Sequence, residues 1–142
     1  MFNNSFQNRV KNLARRANLK VSDLSSGSVK LIFDVKGHTQ HLFIIDYDGI
    51  WEFSCPSIIS VDDIGDIPQV IMAVALEQNS TNKRGFWCIE TIGEKKVLEY
   101  MHNIAGNLLT PQEFGTICWS IVTSVEAMEE ACRQLANRVL SQ

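Results

Sequence analysis

The fold of this chain is decided by residues 29–57, whose sequence is VKLIFDVKGHTQHLFIIDYDGIWEFSCPS. Apolar and polar side chains alternate over residues 29–35, which is the period of a β-strand with one buried face. Lys36-Gly37 is a turn sequence, and Asp48-Gly49 between two apolar runs is a strong hairpin signal. This stretch therefore predicts an antiparallel meander of three strands at residues 29–35, 40–46 and 50–57.

The third strand is expected to lose its pairing near its end, and a second hairpin is expected later in the chain. Pro56 has no backbone N–H, so it is expected to end the pairing of the third strand or to mark a sheet edge. A second hairpin is predicted over residues 84–104, where Gly93-Glu94 separates two alternating runs. The sequence thus predicts five strands, joined mostly by short turns.

Two helices are predicted before and between these strands. Residues 2–18 carry an apolar stripe that includes Phe6, Val10 and Leu13, at the spacing of one helix face. A short helix is predicted to reach residue 79, with Asp66 as its N-cap and Pro68 in its first turn. Because no charged residue precedes Glu77 in this helix, it is expected to be largely buried.

The last helix has the clearest start in the sequence. Thr110 is its predicted N-cap, Pro111 its first residue, and Glu113 the partner in a capping box. A helix over residues 111–140 is about 45 Å long, whereas a compact chain of this length is about 37 Å across. An overhang with uncovered apolar side chains predicts a homodimer, and partial cover by the first helix of the same chain is the competing explanation. The candidate interface residues are Met128, Cys132, Leu135 and Val139.

The 142 residues amount to one domain, and we assign 1–142 to a single α+β domain. The predicted order is α-β-β-β-α-β-β-α, with an antiparallel sheet packed against helices. No apolar run is long enough to span a membrane. The start of the chain has no apolar segment of the kind found in secretion signals, so we expect a cytoplasmic protein.

Charge is distributed unevenly along the chain, whose net charge is −3. Residues 1–20 contain no acid and five bases, which are Arg9, Lys11, Arg15, Arg16 and Lys20. Such a segment is typical of an arm that binds an anionic partner. A helix that docks on its own acidic domain is the favoured interpretation.

No motif for catalysis, metal binding or cofactor binding stands out. The four cysteines, Cys55, Cys88, Cys118 and Cys132, form no CxxC pair and are expected in the core of a protein from a reducing compartment. An EF-hand loop beginning at Asp46 would need Gly where Trp51 stands. Of the Cys–His combinations, Cys88 with His102 is the least unfavourable. We therefore expect no catalytic residues, no metal and no cofactor.

The strand aromatics are expected to serve packing. Trp51, Phe53, Phe86 and Trp87 lack the spacing of an RNA-binding sheet, and the body of the chain is acidic. Core and interface contacts explain them better, so no nucleic-acid partner is expected.

Three local sequences carry a resemblance to known proteins. They are residues 48–51 (DGIW), 66–68 (DIP) and 109–114 (LTPQEF), placed in the element order given above. The order resembles the type III secretion chaperone-like fold, and within it the YbjN-like family of bacterial sensory transduction regulators. The resemblance implies a cytoplasmic, non-enzymatic and frequently dimeric protein that binds another protein or regulates signalling.

Two functions remain open at this point. The first is a protein-interaction module, a homodimer whose sheet and long helix hold a protein or peptide partner. The second is a regulatory domain that senses a small ligand in a pocket between sheet and helix. An apolar surface patch or exposed strand edge favours the first, and a large apolar cavity favours the second.

Overall fold

The structure of the chain is a computed structural model that describes residues 5–141. Its elements, in chain order, are α1 (Ser5–Arg16), β1 (Val21–Leu24), β2 (Ser28–Val35), β3 (His38–Tyr47), β4 (Ile50–Val61), α2 (Gln69–Thr81), β5 (Phe86–Ile92), β6 (Lys95–Ala105) and α3 (Pro111–Leu140). Two short 3-10 turns, Ile64–Asp66 and Gly106–Leu108, precede α2 and α3. The predicted α+β class is confirmed.

The six strands form one antiparallel sheet in the order β1-β2-β3-β4-β6-β5. Asp48 and Gly49 both have positive φ, 52° and 94°, as the predicted Asp-Gly hairpin requires. The chain leaves the sheet after β4, forms α2, and returns as the β5–β6 hairpin with β6 beside β4. The two edges of the sheet are therefore β1 and β5.

All three helices pack on one face of the sheet. The inward-facing side chains of the strands and the apolar stripes of α1 and α3 form a single core. The largest fully buried members of that core include Phe53, Tyr100 and Phe114. Within residues 5–141 no helix covers the opposite face of the sheet, so this part of the chain forms two layers.

Strand β1 and the course of β4 differ from the sequence prediction. The four residues of β1, VSDL, were predicted as a connection because two polar side chains leave almost no alternating apolar signal. Pro56 ends the pairing of β4 with β3, which stops at Phe43 opposite Ser54. It does not end the strand, because Pro56 still lies opposite Glu99 of β6, and an irregularity in register follows.

Helix α1 docks on its own domain. Phe6, Val10 and Leu13 are buried as predicted, while the predicted start at residue 2 lies outside the described residues. Arg9 donates hydrogen bonds to the backbone oxygens of Gly106, at 2.9 Å, and Leu109, at 3.0 Å. The contacts of Arg9 therefore support a helix docked on its own domain rather than a free arm.

The start of α3 matches its prediction in part. The Thr110 hydroxyl accepts the backbone N–H of Glu113 at 3.1 Å, so the N-cap is confirmed. The Glu113 carboxylate pairs with Arg84 at 2.9 Å instead of closing the capping box.

Two predictions for α2 are wrong. The helix begins at Gln69 after Pro68, and Asp66 belongs to the preceding 3-10 turn rather than capping α2. The helix is also not largely buried, because Ile71 and Ala75 are its buried residues and Met72 is only partly buried against the core. Three large apolar side chains are exposed instead, Val70, Val74 and Leu76.

Candidate interaction surfaces

The C-terminal part of α3 runs beyond the sheet. The last buried residue of the helix is Glu129, and the eleven residues that follow it, 130–140, are exposed or half-buried. This is the overhang expected from the length of the helix. The end of β4, at Ile59, and the start of α2 lie beside these last turns.

The four candidate interface residues divide between core and surface. Met128 is 2% exposed and belongs to the core of its own chain. Cys132 is half-buried against that core. Leu135 and Val139 lie on the overhang, and Val139 is 66% exposed. The spacing along the helix placed all four on one face, but it could not locate where the sheet ends beneath them.

An apolar groove of about 470 Å³ runs between the overhang, α2 and the end of β4. Its lining is entirely apolar: Ile59, Pro68, Ile71, Cys132, Leu135, Ala136, Val139 and Leu140. The sequence did not indicate the wall contributed by β4 and α2, because these residues are distant in the chain. The groove lies at the surface, and it can hold apolar side chains from outside the chain.

A buried polar cluster fixes α3 just before it leaves the sheet. Glu126 and Glu129 are 3% and 4% exposed. The amide nitrogen of Gln40 on β3 donates to both, at 2.9 Å and 2.7 Å. Glu129 also accepts the backbone N–H of Ile58 at 2.7 Å, where β4 has separated from β3. The carboxylate of Glu129 thereby accepts a backbone N–H of β4 at a point where β3 no longer pairs with that strand.

Cationic and histidine partners complete this cluster at the surface. Arg133 donates to Glu126 at 2.8 Å, and Nδ1 of His38 lies 2.6 Å from the same oxygen. Burial raises the pKa of Glu126, but the hydrogen bonds from Gln40, His38 and Arg133 outweigh it, and the pKa is below its ordinary value. Glu126 is therefore an ionised carboxylate that holds α3 to β3.

The structure separates Cys88 from His102, the Cys–His combination considered above for catalysis. His102 lies opposite the core residue Phe53 and shares its face, whereas Cys88 lies opposite Glu99 on the other face. Burial, followed by the charge of Glu99, raises the pKa of the Cys88 thiol to about 12. A thiol–imidazole pair cannot form between them.

The cysteines and the turn acid Asp46 serve packing and local backbone structure. Cys55 and Cys118 are buried, as predicted, whereas Cys88 and Cys132 are only half-buried, and all four are free. Asp46 accepts the N–H of Gly49 in the hairpin turn. Within residues 5–141, no group of three or more His, Cys, Asp or Glu side chains is arranged to hold a metal ion. Over the same residues, no helix is long and apolar enough to cross a membrane.

Comparison with solved structures identifies the architecture. A chain of the structure titled "Structure of the HopA1-SchA Chaperone-Effector Complex" superposes with a TM-score of 0.62. The match covers 88% of this chain and 93% of that one, at 14% sequence identity. The fold is type III secretion chaperone-like. No family model matches the sequence, and no curated protein resembles it closely enough to count as a match.

This fold is the type III secretion chaperone-like fold that the element order of the sequence resembles. An antiparallel sheet packed against helices, and the order of the elements apart from β1, were predicted from the sequence. At 14% identity the likeness concerns the fold alone.

Proposed function

We propose that this protein is a non-enzymatic protein-binding module that forms a homodimer through the groove at the end of α3. The observation that carries the proposal is the entirely apolar lining of that groove, beside side chains as exposed as Val139 and Leu140. Exposed apolar surface of this kind is typical of protein interfaces. The chaperone-like fold supports the same class of function.

A second copy of the chain is a suitable occupant of the groove. The overhang supplies projecting side chains, Val139 and Leu140, and the groove beside it supplies a recess floored by Ile59 and Ile71. A two-fold axis places the projection of each copy in the recess of the other. Exposed Val70 and Val74 on α2 enlarge the apolar surface next to the recess.

The finer parts of the proposal rest on the sequence resemblance. We place the protein in the cytoplasm, and we propose that the dimer binds another protein or regulates a signalling pathway, as the YbjN-like family does. The groove favours this module over a ligand-sensing domain, because it opens at the surface along α2 and α3.

Light scattering at micromolar concentration tests the dimer. We expect a mass near twice the 16.0 kDa of one chain. Leu135→Glu introduces a charge into the groove and is expected to return the mass to that of a monomer with an unchanged helical signal. Asn137→Glu is the matched control, since it lies about 200° around the helix from Leu135. A monomeric wild type, or equal effects of the two variants, contradicts the proposal.

A further inference from the structure

The sheet face without helices carries a row of five side chains, one on each of five strands, and three of them are apolar. Strand pairing places Lys30, Phe43, Ser54, Met101 and Phe86 directly opposite one another on β2, β3, β4, β6 and β5. Their neighbours in sequence are core residues under the helices: Leu31, Leu42, Phe53, Tyr100 and Trp87. Since side chains alternate between the faces of a strand, the row lies on the open face.

The row forms a shallow surface that is mostly apolar between Phe43 and Phe86. Ser54 and Met101 form its floor, at 5% and 8% exposed, and the half-buried rings of Phe43 and Phe86 stand on either side. Across four strand spacings it is about 19 Å long. A second row beside it adds Ile32, which is 45% exposed. Polar side chains would ordinarily occupy such a face.

Carboxylates flank the row on both sides. Glu52 lies two residues before Ser54 on β4, and Glu99 lies two residues before Met101 on β6, at the opposite side of the row. Glu90 on β5 adds a third acid close to Glu99. None of the ion pairs among residues 5–141 involves any of these three acids. Glu99 is 1% exposed, and Lys30 at one end of the row pairs with Asp23. The negative charge beside the apolar surface therefore comes from Glu52 on one flank and Glu90 on the other.

Burial and the neighbouring acids raise the pKa of two of these carboxyl groups. Burial, a hydrogen bond with Glu90 and the charges of Glu90 and Glu52 raise the pKa of Glu99 to about 9. Burial and the charge of Glu90 raise the pKa of Glu52 as well. A Lys or Arg side chain placed here offsets the repulsion and releases the proton of Glu99.

We propose that this open sheet face binds a segment of another protein in which apolar side chains alternate with, or are flanked by, Lys or Arg. Charge complementarity selects this occupant over nucleic acid or anionic lipid, which the acids repel. The basic helix α1 of a second copy does not supply such a segment, because its apolar stripe is already buried in its own core. The face lies in the opposite layer from the groove of α3.

Calorimetric titration with blocked synthetic peptides of about eight residues, long enough to span the row, tests the proposal. Three peptides are compared, in which Leu alternates with Lys, with Ser or with Glu. We expect the Lys peptide to bind, to weaken with salt, and to bind Glu52→Gln/Glu90→Gln about tenfold more weakly. Equal binding of the three peptides, or no effect of the double variant, overturns the proposal.

Proton release gives a readout specific to Glu99. Titrations near neutral pH in two buffers of different ionisation enthalpy should show release of up to about one proton on binding. Glu99→Gln, which resembles the protonated acid and should fold, is expected to abolish that release. Glu77→Gln on α2 is the matched control and is expected to change neither affinity nor proton release. Leu135→Glu should leave peptide binding intact, so failure of the dimer and failure of this surface are distinguishable.

Discussion

Replacing Gln40 by Leu tests the cluster that holds α3 on the sheet. The side chain of Gln40 is buried, and its amide group donates to both Glu126 and Glu129. Leu has a similar size but no donor. The variant therefore leaves the packing nearly unchanged while two buried carboxylates each lose a hydrogen bond.

The expected loss of stability follows from those two bonds. A hydrogen bond to a charged group contributes about 1.5–3 kcal/mol. Because Arg133, His38 and the Ile58 N–H remain as donors to the two carboxylates, we expect the lower end, about 3 kcal/mol. Domains are stable by about 5–15 kcal/mol in total, so the change is large.

Urea unfolding near neutral pH and at about pH 4 measures the loss and its origin. The lowered pKa of Glu126 stabilises the fold above the ordinary glutamate pKa, and this contribution is lost as the pH falls through the lower folded value. Without Gln40 the folded pKa rises, so the difference between the two proteins should narrow in acid. Gln112→Leu, exposed at the start of α3, is the control, with an expected change within about 0.5 kcal/mol. A loss that is independent of pH, or no larger than the control, refutes the reasoning.

Two further substitutions test α1 and the edge of the sheet. Leu13→Ala should cost about 2–4 kcal/mol in urea unfolding because Leu13 is buried, whereas exposed Arg15→Ala should cost much less, and equal losses would contradict the assigned stripe. The side-chain amide of Asn79 bonds both the N–H and the C=O of Trp87 on edge strand β5, at 2.6 Å and 3.1 Å. Asn79→Leu should cost about 1–3 kcal/mol and speed hydrogen exchange at Trp87, and unchanged exchange there would contradict this role.

Local signals in the sequence account for most of the architecture. The Asp48-Gly49 turn and the Thr110 N-cap were predictable because each depends on a few adjacent residues. Strand β1 was missed because it is short and polar, and pairing with β2 supplies what its own residues do not. Helix α2 was expected to be buried from composition alone, which does not say how many neighbours it meets.

The surfaces were predictable only in outline. The spacing of Leu135 and Val139 identified an apolar face on α3, but the opposing wall comes from Ile59 and Ile71, far away in sequence. The row on the open sheet face depends on register across five strands, which alternation within each strand cannot fix. Long-range pairing, rather than local preference, thus decides where a binding surface forms.

The insertion of β6 beside β4 imposes an order on synthesis of the chain. The strand that completes the middle of the sheet begins at Lys95, 34 residues after β4 ends at Val61. At ribosomal rates of about 5–20 residues per second, the growing chain carries an unpaired β4 edge for about 2–7 s. The bonds from Arg9 to Gly106 and Leu109 form later still. The nascent N-terminal half is therefore the stage at which this protein is most exposed to aggregation and most accessible to cellular folding factors.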